Sequence, residues 1–446
     1  VGGEGNSVAA DITNRNAVAS GYYNSPWSCE DGGPERLQMP TATKGLNILA
    51  TDRVKLVSRR LLIGNMVLLR EPGEVYLMHH DTLRRGLGFD CHSYIEKIDP
   101  QTLAPLKKSP KLAGGPFWPG GFAIHRNGDL YVTFGRYMHR LNPDCECINS
   151  LKLPQNLPYN SHVILDGGYL VTKPIAEDGQ TQLLLIDPDT LTISHAIEMP
   201  EPSISRLSAV GNTVYVTGVT TIYRYHFNAA GKTLERDSDW AFNYIDNALQ
   251  NPGQSYGWDP VIDQHNIWFM DNGKHTANKA LSMLNEGVAT SPNNIIRVSV
   301  SDSSDFSITP ISGMSGGSIS NPPLYCSQRR ILVAYDSANA FVKAWRHDLE
   351  TNELTALWQR DDFGMAGHGL YFADTGELVT EDYRSLKTWR GLKNGEENVI
   401  LDIETGEEKA RFAMNNYVQS FCFSAPGFAR DYYWLGLDKL THVTFE

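Results

Sequence analysis

The stretch GHGLYFADTGELVTED, Gly367 to Asp382, consists of an apolar run, an Ala-Asp-Thr-Gly turn and a second apolar run. Two such runs around a turn that contains glycine predict a β-hairpin. His368 comes directly before the first predicted strand, and Glu381 and Asp382 end the second. The same pattern recurs in hairpins that begin at Asn65, Gly120, Ser161, Ser205, Trp258, Asn321 and Gln419. Repetition at intervals of roughly 40 to 60 residues is typical of propeller blades.

A second repeated signal lies between these hairpins, where a strand, an Asp-x-x-Thr turn and another strand follow each other. It occurs in KIDPQTLAPL, LIDPDTLTIS, RHDLETNELTAL and LDIETGEEKARF. Aspartate opens such turns because its side chain accepts hydrogen bonds from the backbone two residues further on. Two hairpins per repeat make a four-stranded antiparallel sheet, and a radial arrangement of such sheets hides all but short edges. We therefore predict an all-β chain that forms a single β-propeller.

The repeats predict eight blades, with seven as the alternative because the first and fifth repeats carry long insertions. The last repeat shows three clear strands, which end at THVTFE. We expect its fourth strand to come from the N-terminal region near GLNILATDRVKLV, which would close the ring. Residues 1–44 are polar and rich in glycine and are predicted to form an arm that wraps the outside, while the propeller occupies residues 45–446.

Composition disfavours several classes of partner. The chain has 446 residues, of which 41% are hydrophobic and 20% charged, as in ordinary soluble domains. It lacks an apolar run of the roughly 18 residues that a membrane span requires, and its formal net charge of −12 disfavours nucleic acid. The six cysteines are too few for a disulfide scaffold. Because the sequence starts at Val1, it suits a chain whose signal peptide has been removed, and we expect a secreted or periplasmic protein.

The geometry of a propeller predicts where a site would lie. The innermost strand of each blade lines the central channel and runs antiparallel to the second strand. The start of the first and the end of the second therefore lie on one face, called here the front face; the hairpin turns lie on the back face. Loops on a rigid scaffold commonly carry binding sites. The candidate residues that the repeats place at the front face are His80, His162, Lys173, Arg206, Trp258, Asp259, Asp271, Asn272, Asn321, Asp336, His368 and Glu381.

Side-chain chemistry suggests roles for these residues. His162 and His368 can transfer protons, and Arg206 suits an anionic substrate group. The residues predicted to contact the substrate are Lys173, Trp258, Asp259 and Asp336. Structural alternatives stay open, since buried imidazoles require hydrogen-bond partners in any case. Asp336 could also cap a turn.

The repeats resemble those of enzymatic β-propellers in the superfamily of gluconolactonases, strictosidine synthases and YVTN-type repeat proteins. The resemblance covers about residues 45–446 and exists at the level of the repeats. Gluconolactonases, which usually have six blades, place Glu, Asn and Asp around a divalent metal in the channel. The resemblance therefore implies a calcium or zinc site, to which His80 would add a ligand. The counterparts by position in the repeat are Asp271, Asn272, Asn321 and Glu381.

Two other propeller families bear on the chemistry. The turn from Asp402 to Gly406 is similar to the docking repeat of pyrroloquinoline quinone dehydrogenases. The chain lacks their adjacent cysteine pair and their regular tryptophans, so we expect no quinone cofactor. Propeller polysaccharide lyases combine His, Tyr and Arg to neutralise and deprotonate a uronate. The similarity implies that role for His162, His368, Arg206 and Tyr256.

Three functions remain open from the sequence. The leading one is a metal-assisted hydrolase of the lactonase or esterase type, which acts on a small or oligomeric oxygenated substrate. The nearest alternative is a uronate lyase. The third is a non-catalytic propeller that binds a protein or a glycan, and it predicts exposed aromatic residues around Trp118, Trp258 and Tyr256.

Overall fold

A computed structural model describes residues 18–41, 43–61, 63–87, 89–116, 120–246, 253–272, 291–315, 321–361, 364–383, 396–415, 423–436 and 438–446. These residues form eight antiparallel sheets. Helical structure within these ranges consists of two 3-10 segments, Glu30–Gly32 and Thr82–Leu87. Neither is long and apolar enough to cross a membrane. The prediction of a single all-β propeller with eight blades is confirmed.

Each sheet is one blade, with its strands numbered in chain order from the first to the last residue. The strand that precedes blade 1 and the strands of blades 1 to 4 are β1 (Val54–Arg60); β2 (Gly64–Leu69), β3 (Val75–His80), β4 (Cys91–Ile98), β5 (Pro105–Lys108) and β6 (Leu112–Gly115); β7 (Gly121–Ile124), β8 (Leu130–Phe134), β9 (Tyr137–Leu141) and β10 (Cys147–Lys152); β11 (Tyr159–Ile164), β12 (Leu170–Pro174), β13 (Gln182–Asp187) and β14 (Thr192–Glu198); β15 (Ser208–Val210), β16 (Thr213–Thr217), β17 (Thr221–Asn228) and β18 (Thr233–Asn243). The strands of blades 5 to 8 are β19 (Val261–Ile262), β20 (Asn266–Met270), β21 (Pro292–Ser299) and β22 (Phe306–Ser315); β23 (Leu324–Cys326), β24 (Ile331–Asp336), β25 (Phe341–His347) and β26 (Leu354–Arg360); β27 (Leu370–Phe372), β28 (Glu377–Tyr383), β29 (Glu396–Asp402) and β30 (Glu408–Ala413); β31 (Ala425–Pro426), β32 (Asp431–Leu435) and β33 (Lys439–Phe445).

The Asp-x-x-Thr turns join the third and fourth strands of their blades, as predicted. In blade 7, Oδ1 of Asp402 accepts hydrogen bonds from the backbone N–H groups of Glu404 at 2.9 Å and Thr405 at 3.2 Å. Gly406 then adopts a φ of 73°, which reverses the chain. A left-handed residue is easily provided by glycine. The same carboxylate capping occurs at Asp99, Asp187 and Asp348.

The core lies between neighbouring blades. Strand β2 is buried along its whole length because sheets cover both of its faces. Strand β14, at the outer rim, alternates between exposed and half-buried residues. The inner hairpins are therefore rigid supports, and the residues at their ends have defined positions on the front and back faces.

The ring is closed by pairing the two ends of the propeller. Strand β1 runs antiparallel to β33, in a register that pairs Val54 with Phe445 and Arg60 with Lys439. It supplies the outer strand of blade 8, beside β33, β32 and β31. The predicted closure by an N-terminal strand is confirmed.

Residues 22–41, called here the N-terminal segment, lie across the back end of the channel. Their backbone carbonyls accept hydrogen bonds from inner strands of five blades, through the N–H groups of Leu69, Ile124, Ala209, Ile262 and Tyr371. Trp27 and Met39 are each 1% exposed. The expectation that this region wraps the outside is therefore wrong. The innermost strand of each blade is a sheet edge whose N–H groups need partners, and the segment supplies them.

Candidate functional site

A histidine and an aspartate meet inside the channel. Nδ1 of His368, just before β27, donates a hydrogen bond of 2.8 Å to Oδ1 of Asp31 in the N-terminal segment. Both side chains are 1% exposed. Asp31 has a left-handed φ of 56°, a conformation that aspartate tolerates better than most residues. The contact fixes the ring orientation of His368 and the nitrogen that carries the proton.

Asp31 belongs to a buried charge cluster formed within the N-terminal segment. Its Oδ2 accepts a hydrogen bond of 2.9 Å from Nη1 of Arg36, whose Nη2 donates to Glu30. Burial raises the pKa of Asp31, but His368 and Arg36 outweigh that effect, and the pKa lies below its usual value. For Glu30 burial dominates over Arg36 and Arg206, and its pKa is raised. Buried charges of this kind require partners, which explains why the polar segment can fold inward.

Arg206 is held next to this cluster. Its backbone N–H donates to Oδ1 of Asp259 at 2.5 Å, and its Nη1 donates to Oδ2 at 3.2 Å. Its Nε lies 3.6 Å from Oε2 of Glu30. The guanidinium carbon is 4.8 Å from the centre of the Phe423 ring, and the His368 ring centre is 4.0 Å from the same ring. Arg206 and His368 therefore both contact the ring of Phe423.

Two polar atoms of this pair point away from their orienting partners. Nε2 of His368 and Nη2 of Arg206 are buried and form no hydrogen bond to the residues that the structure describes. Buried polar atoms without partners are rare in native proteins. The arrangement offers a proton acceptor and a guanidinium donor around the ring of Phe423, the two groups that an acid–base site for an anionic substrate uses.

His162 is a second buried histidine, but it lies inside β11 rather than at the front-face start of that strand, where the repeat placed it. Its Nδ1 lies 2.9 Å from Oγ1 of Thr133, and its Nε2 forms no hydrogen bond within the described ranges. Burial lowers its pKa to about 3, with smaller effects of His125 and Arg36. His162 is therefore neutral at neutral pH. None of its hydrogen bonds joins it to His368 or Arg206.

Lys173 is the last but one residue of β12 and is 1% exposed. Its Nζ donates to the backbone carbonyl of Ser203 at 3.2 Å. Burial lowers its pKa to about 7, Asp259 opposes that effect and Arg206 adds to it. Lys173 thus experiences the charge of Asp259, which also orients Arg206.

The aromatic candidates differ from the expectation of an exposed patch. Trp258 is 2% exposed and packs with Ile175 and Ile204, while Tyr256 is half-buried against the same cluster. Trp118 lies outside the described residues. Trp258 is covered because apolar residues of adjacent blades close over it.

Asp336, at the end of β24, has one hydrogen-bond partner in β22 of the neighbouring blade and one in the turn that follows it. Its Oδ2 accepts from Oγ of Ser312 at 2.6 Å and from Nδ2 of Asn339 at 2.8 Å. These side-chain contacts favour a structural role for Asp336, the alternative that the sequence left open.

Asn321 and Glu381, two of the predicted metal ligands, meet at one backbone position. Nδ2 of Asn321 donates to the carbonyl of Ala366 at 2.6 Å, and Oε1 of Glu381 accepts from the Ala366 N–H at 2.7 Å and from the Gly367 N–H. The two side chains therefore brace the loop that carries His368.

The other three predicted ligands have partners elsewhere. Nδ1 of His80 lies 2.5 Å from Oγ1 of Thr82. Asp271 accepts hydrogen bonds from the backbone and side chain of Asn294, at 2.7 and 2.8 Å, and Asn272 donates to nearby carbonyls. Within the described part of the chain, no three His, Cys, Asp or Glu side chains form a group that could hold a metal ion. These residues, as placed, do not fit the implied metal, whose presence stays a prediction.

Four residues that contact His368 or Arg206, directly or through the charge cluster, were not predicted from the sequence. Glu30, Asp31 and Arg36 were missed because a polar, glycine-rich segment suggested an external arm. The apolar residues Trp27 and Met39 on either side of them were the available signal for burial. The fourth, Phe423, precedes β31 and so occupies the front-face position of blade 8. The repeat placed Gln419 there, which lies outside the described residues.

Comparisons with known proteins give no family assignment. No family model matches the chain, and no curated protein matches it. Solved structures similar to it include a functionally unknown protein from Desulfotomaculum acetoxidans DSM 771, with 10% identity, coverage of 74% of this chain and 96% of that one, and a TM-score of 0.45. The RRP9 WD40 repeats have 8% identity, cover 91% of this chain and 99% of their own, and have a TM-score of 0.48. A virginiamycin B lyase from Staphylococcus aureus has 13% identity, coverage of 74% and 94%, and a TM-score of 0.43. At such identities and TM-scores these similarities say nothing of function.

Proposed function

We propose that this propeller is an acid–base enzyme that acts on a carboxylate-bearing, sugar-like substrate by β-elimination, as a uronate lyase does. The observation that carries the proposal is the pair of His368 and Arg206. Each is oriented by a carboxylate, from Asp31 and Asp259 respectively, and each has a buried nitrogen without a hydrogen bond among the described residues.

The chemistry follows from these contacts. Because Asp31 accepts the Nδ1–H bond, Nε2 of His368 has the lone pair and can remove the proton next to the substrate carboxylate. Nη2 of Arg206 binds that carboxylate and stabilises the negative charge that develops on it. The C–H bond breaks, a C=C bond forms and the C–O bond to the leaving group breaks. The proton passes from His368 to the leaving oxygen, so the imidazole returns to its neutral state.

The metal-assisted lactonase receives less support from the geometry. Of its predicted ligands, Asn321 and Glu381 meet, but at Ala366, where both bind the backbone. We derive no step through a metal. A secreted or periplasmic location likewise stays a prediction.

A panel of uronate oligosaccharides tests the function. Elimination creates a conjugated C=C bond, so turnover is followed by ultraviolet absorbance and by mass spectrometry of the unsaturated product. We expect wild-type turnover and its loss in His368→Gln. A matched control is His347→Gln, because both ring nitrogens of His347 already have partners, in Tyr325 and Asn352. Full elimination activity in His368→Gln, or hydrolysis without an unsaturated product, would overturn the proposal.

A further inference from the structure

A cavity of about 600 Å³ opens on the front face between blades 1 and 2. Its lining includes Phe89 before β4, Gly114 of β6, Arg136 and Tyr137 at the start of β9, and Lys152 at the end of β10. The ends of these strands are on the front face because β8, which precedes Arg136, ends there. The volume lies within the roughly 300–1,000 Å³ range of small-molecule sites.

Two cationic side chains, Arg136 and Lys152, and one carboxylate, Asp90, line the cavity. Arg136 donates to the carbonyls of Leu153 at 3.0 Å and Pro154 at 2.8 Å and to Oδ1 of Asn156 at 3.1 Å. These oxygens are neutral, so they fix the guanidinium and leave its charge uncompensated. Neither Arg136 nor Lys152 has an ion pair with a carboxylate among the described residues. In a chain of net charge −12 such a local excess of positive charge attracts an anionic group.

Two aromatic rings lie beside these cations. Phe89 is 56% exposed although it is a large apolar residue. Tyr137 is half-buried, and its ring is stacked on His139 with centres 5.9 Å apart and planes 9° apart, so its orientation is fixed. Exposed aromatic faces provide apolar area at low entropic loss and suit the C–H faces of sugars.

Glycines bring the loops around the cavity into close contact. Gly135 has a φ of 57°, and a Cβ there would lie 2.4 Å from the carbonyl oxygen of Gly114. A Cβ on Gly114 would lie 2.6 Å from the carbonyl oxygen of Cys91. The shape of the cavity therefore depends on the absence of side chains at Gly114 and Gly135.

We propose that this cavity is a binding subsite for an acidic oligosaccharide, in which Arg136 binds a carboxylate and Phe89 and Tyr137 pack against sugar rings. The preference for uronates over other acidic sugars rests on the proposed function, whereas the recognition of sugar and carboxylate together rests on the cavity alone. Nη2 of Arg136 already donates to two carbonyls and Nη1 to Asn156, so Arg136 binds the carboxylate through its charge and the remaining N–H of Nη1, held in a position that a lysine cannot keep.

Isothermal titration calorimetry with oligogalacturonates of two to six residues tests the subsite, with neutral malto-oligosaccharides of the same lengths as comparison. Binding is measured on His368→Gln, so that turnover does not interfere. We expect the acidic hexamer to bind about tenfold more tightly than the neutral one. We expect Arg136→Ala and Phe89→Ala each to weaken it by about tenfold, and Arg136→Lys to restore only part of the affinity.

The matched control is Arg126→Ala. Arg126 also donates to two backbone carbonyls, those of Asp166 and Gly167, but in a hairpin turn on the back face. Arg126→Ala, combined with His368→Gln, should bind the hexamer with the same affinity as His368→Gln alone. Phe89 is exposed, so its variant keeps the test valid if Arg136→Ala does not fold. Unchanged affinity in Phe89→Ala and Arg136→Lys, equal affinity for the neutral hexamer, or no binding at all would overturn the subsite. The variant His368→Gln separates the proposed elimination function from the proposed subsite, because it should lose elimination activity and still bind the hexamer.

Discussion

Nδ1 of His368 donates a hydrogen bond of 2.8 Å to Oδ1 of Asp31, although 337 positions separate the two residues in the chain. One comes from the seventh blade and the other from the segment that crosses the back end of the channel. The carboxylate orients the imidazole, and the same carboxylate is balanced by Arg36. The segment therefore does two things, since it covers the back end of the channel and orients His368 of the proposed catalytic pair.

Replacement of His368 by glycine should lower kcat by at least about 10²-fold, because general base catalysis typically contributes 10²–10⁴-fold. KM should change little, since Arg206 still binds the substrate. Added imidazole should restore part of the rate by occupying the space left by the ring. Steady-state kinetics with and without imidazole check this. A variant that keeps the wild-type kcat, and whose rate imidazole does not change, would contradict the role of His368.

Asp31→Asn should also lower kcat, by roughly 10²–10⁴-fold, because the amide no longer selects the tautomer with a free Nε2. Asp31 is a positioning residue, so substrate affinity should be nearly unchanged. The comparison of kcat with KM separates this from a loss of folded protein, which lowers the active concentration and leaves KM and the kcat per active site intact. Active-site titration provides that correction.

Arg206→Lys should raise KM for acidic substrates by about tenfold or more, because lysine keeps the charge but loses the fork. Arg224→Lys is a matched control, since Arg224 is also held by a carboxylate, Asp237, but at the rim of blade 4. Equal KM values for Arg206→Lys and the wild type would count against carboxylate binding at this position.

Arg36→Ala should destabilise the fold by roughly 3–5 kcal/mol, because it leaves Glu30 and Asp31 buried without their shared cation. Arg140→Ala, which removes a partly exposed ion pair with Asp129, should have an effect of about 1 kcal/mol. Urea unfolding followed by tryptophan fluorescence measures both. Similar values for the two variants would show that the buried cluster is not held by Arg36.

Closure of the ring can be tested with two proline variants of β1. Arg53 and Glu446 exchange both backbone hydrogen bonds, at 2.7 and 3.0 Å. In this antiparallel register Val57 and His442 form a pair of the same kind. Val57→Pro should thus remove a ladder bond and destabilise the protein by roughly 2–3 kcal/mol. Leu56→Pro, whose N–H points outward, should change stability by less than about 1 kcal/mol.

Stability should fall as the pH falls from about 6.5 towards 3, because His80 and His162 have their pKa values lowered to about 3 by burial. In that window the unfolded chain binds protons that the folded chain does not, so each histidine contributes a slope of up to about 1.4 kcal/mol per pH unit. His162→Asn should make the slope shallower by that amount. Urea unfolding at a series of pH values provides the measurement, and an unchanged slope would show that His162 is protonated in the folded state.

Asp271 should have the opposite effect. Burial raises its pKa from 3.8 to about 7, so the folded chain binds the extra proton and stability falls as the pH rises through this window. Asp271→Asn should therefore gain stability relative to the wild type above pH 7, where the wild-type carboxylate is charged.

The sequence by itself determined the blades, the capped turns and the ring closure. The signals for these are local: apolar strands on either side of a turn, and an aspartate such as Asp402 whose carboxylate caps the backbone two and three residues on. Position in the repeat also placed His368 and Arg206 at the front face, because strand direction alone decides that. Only the tertiary structure decided which of the front-face residues have partners, and it brought Asp31 and Phe423 to them. Contacts between residues that are hundreds of positions apart depend on which charged groups are buried together when the channel packs. A local sequence pattern does not determine that pairing.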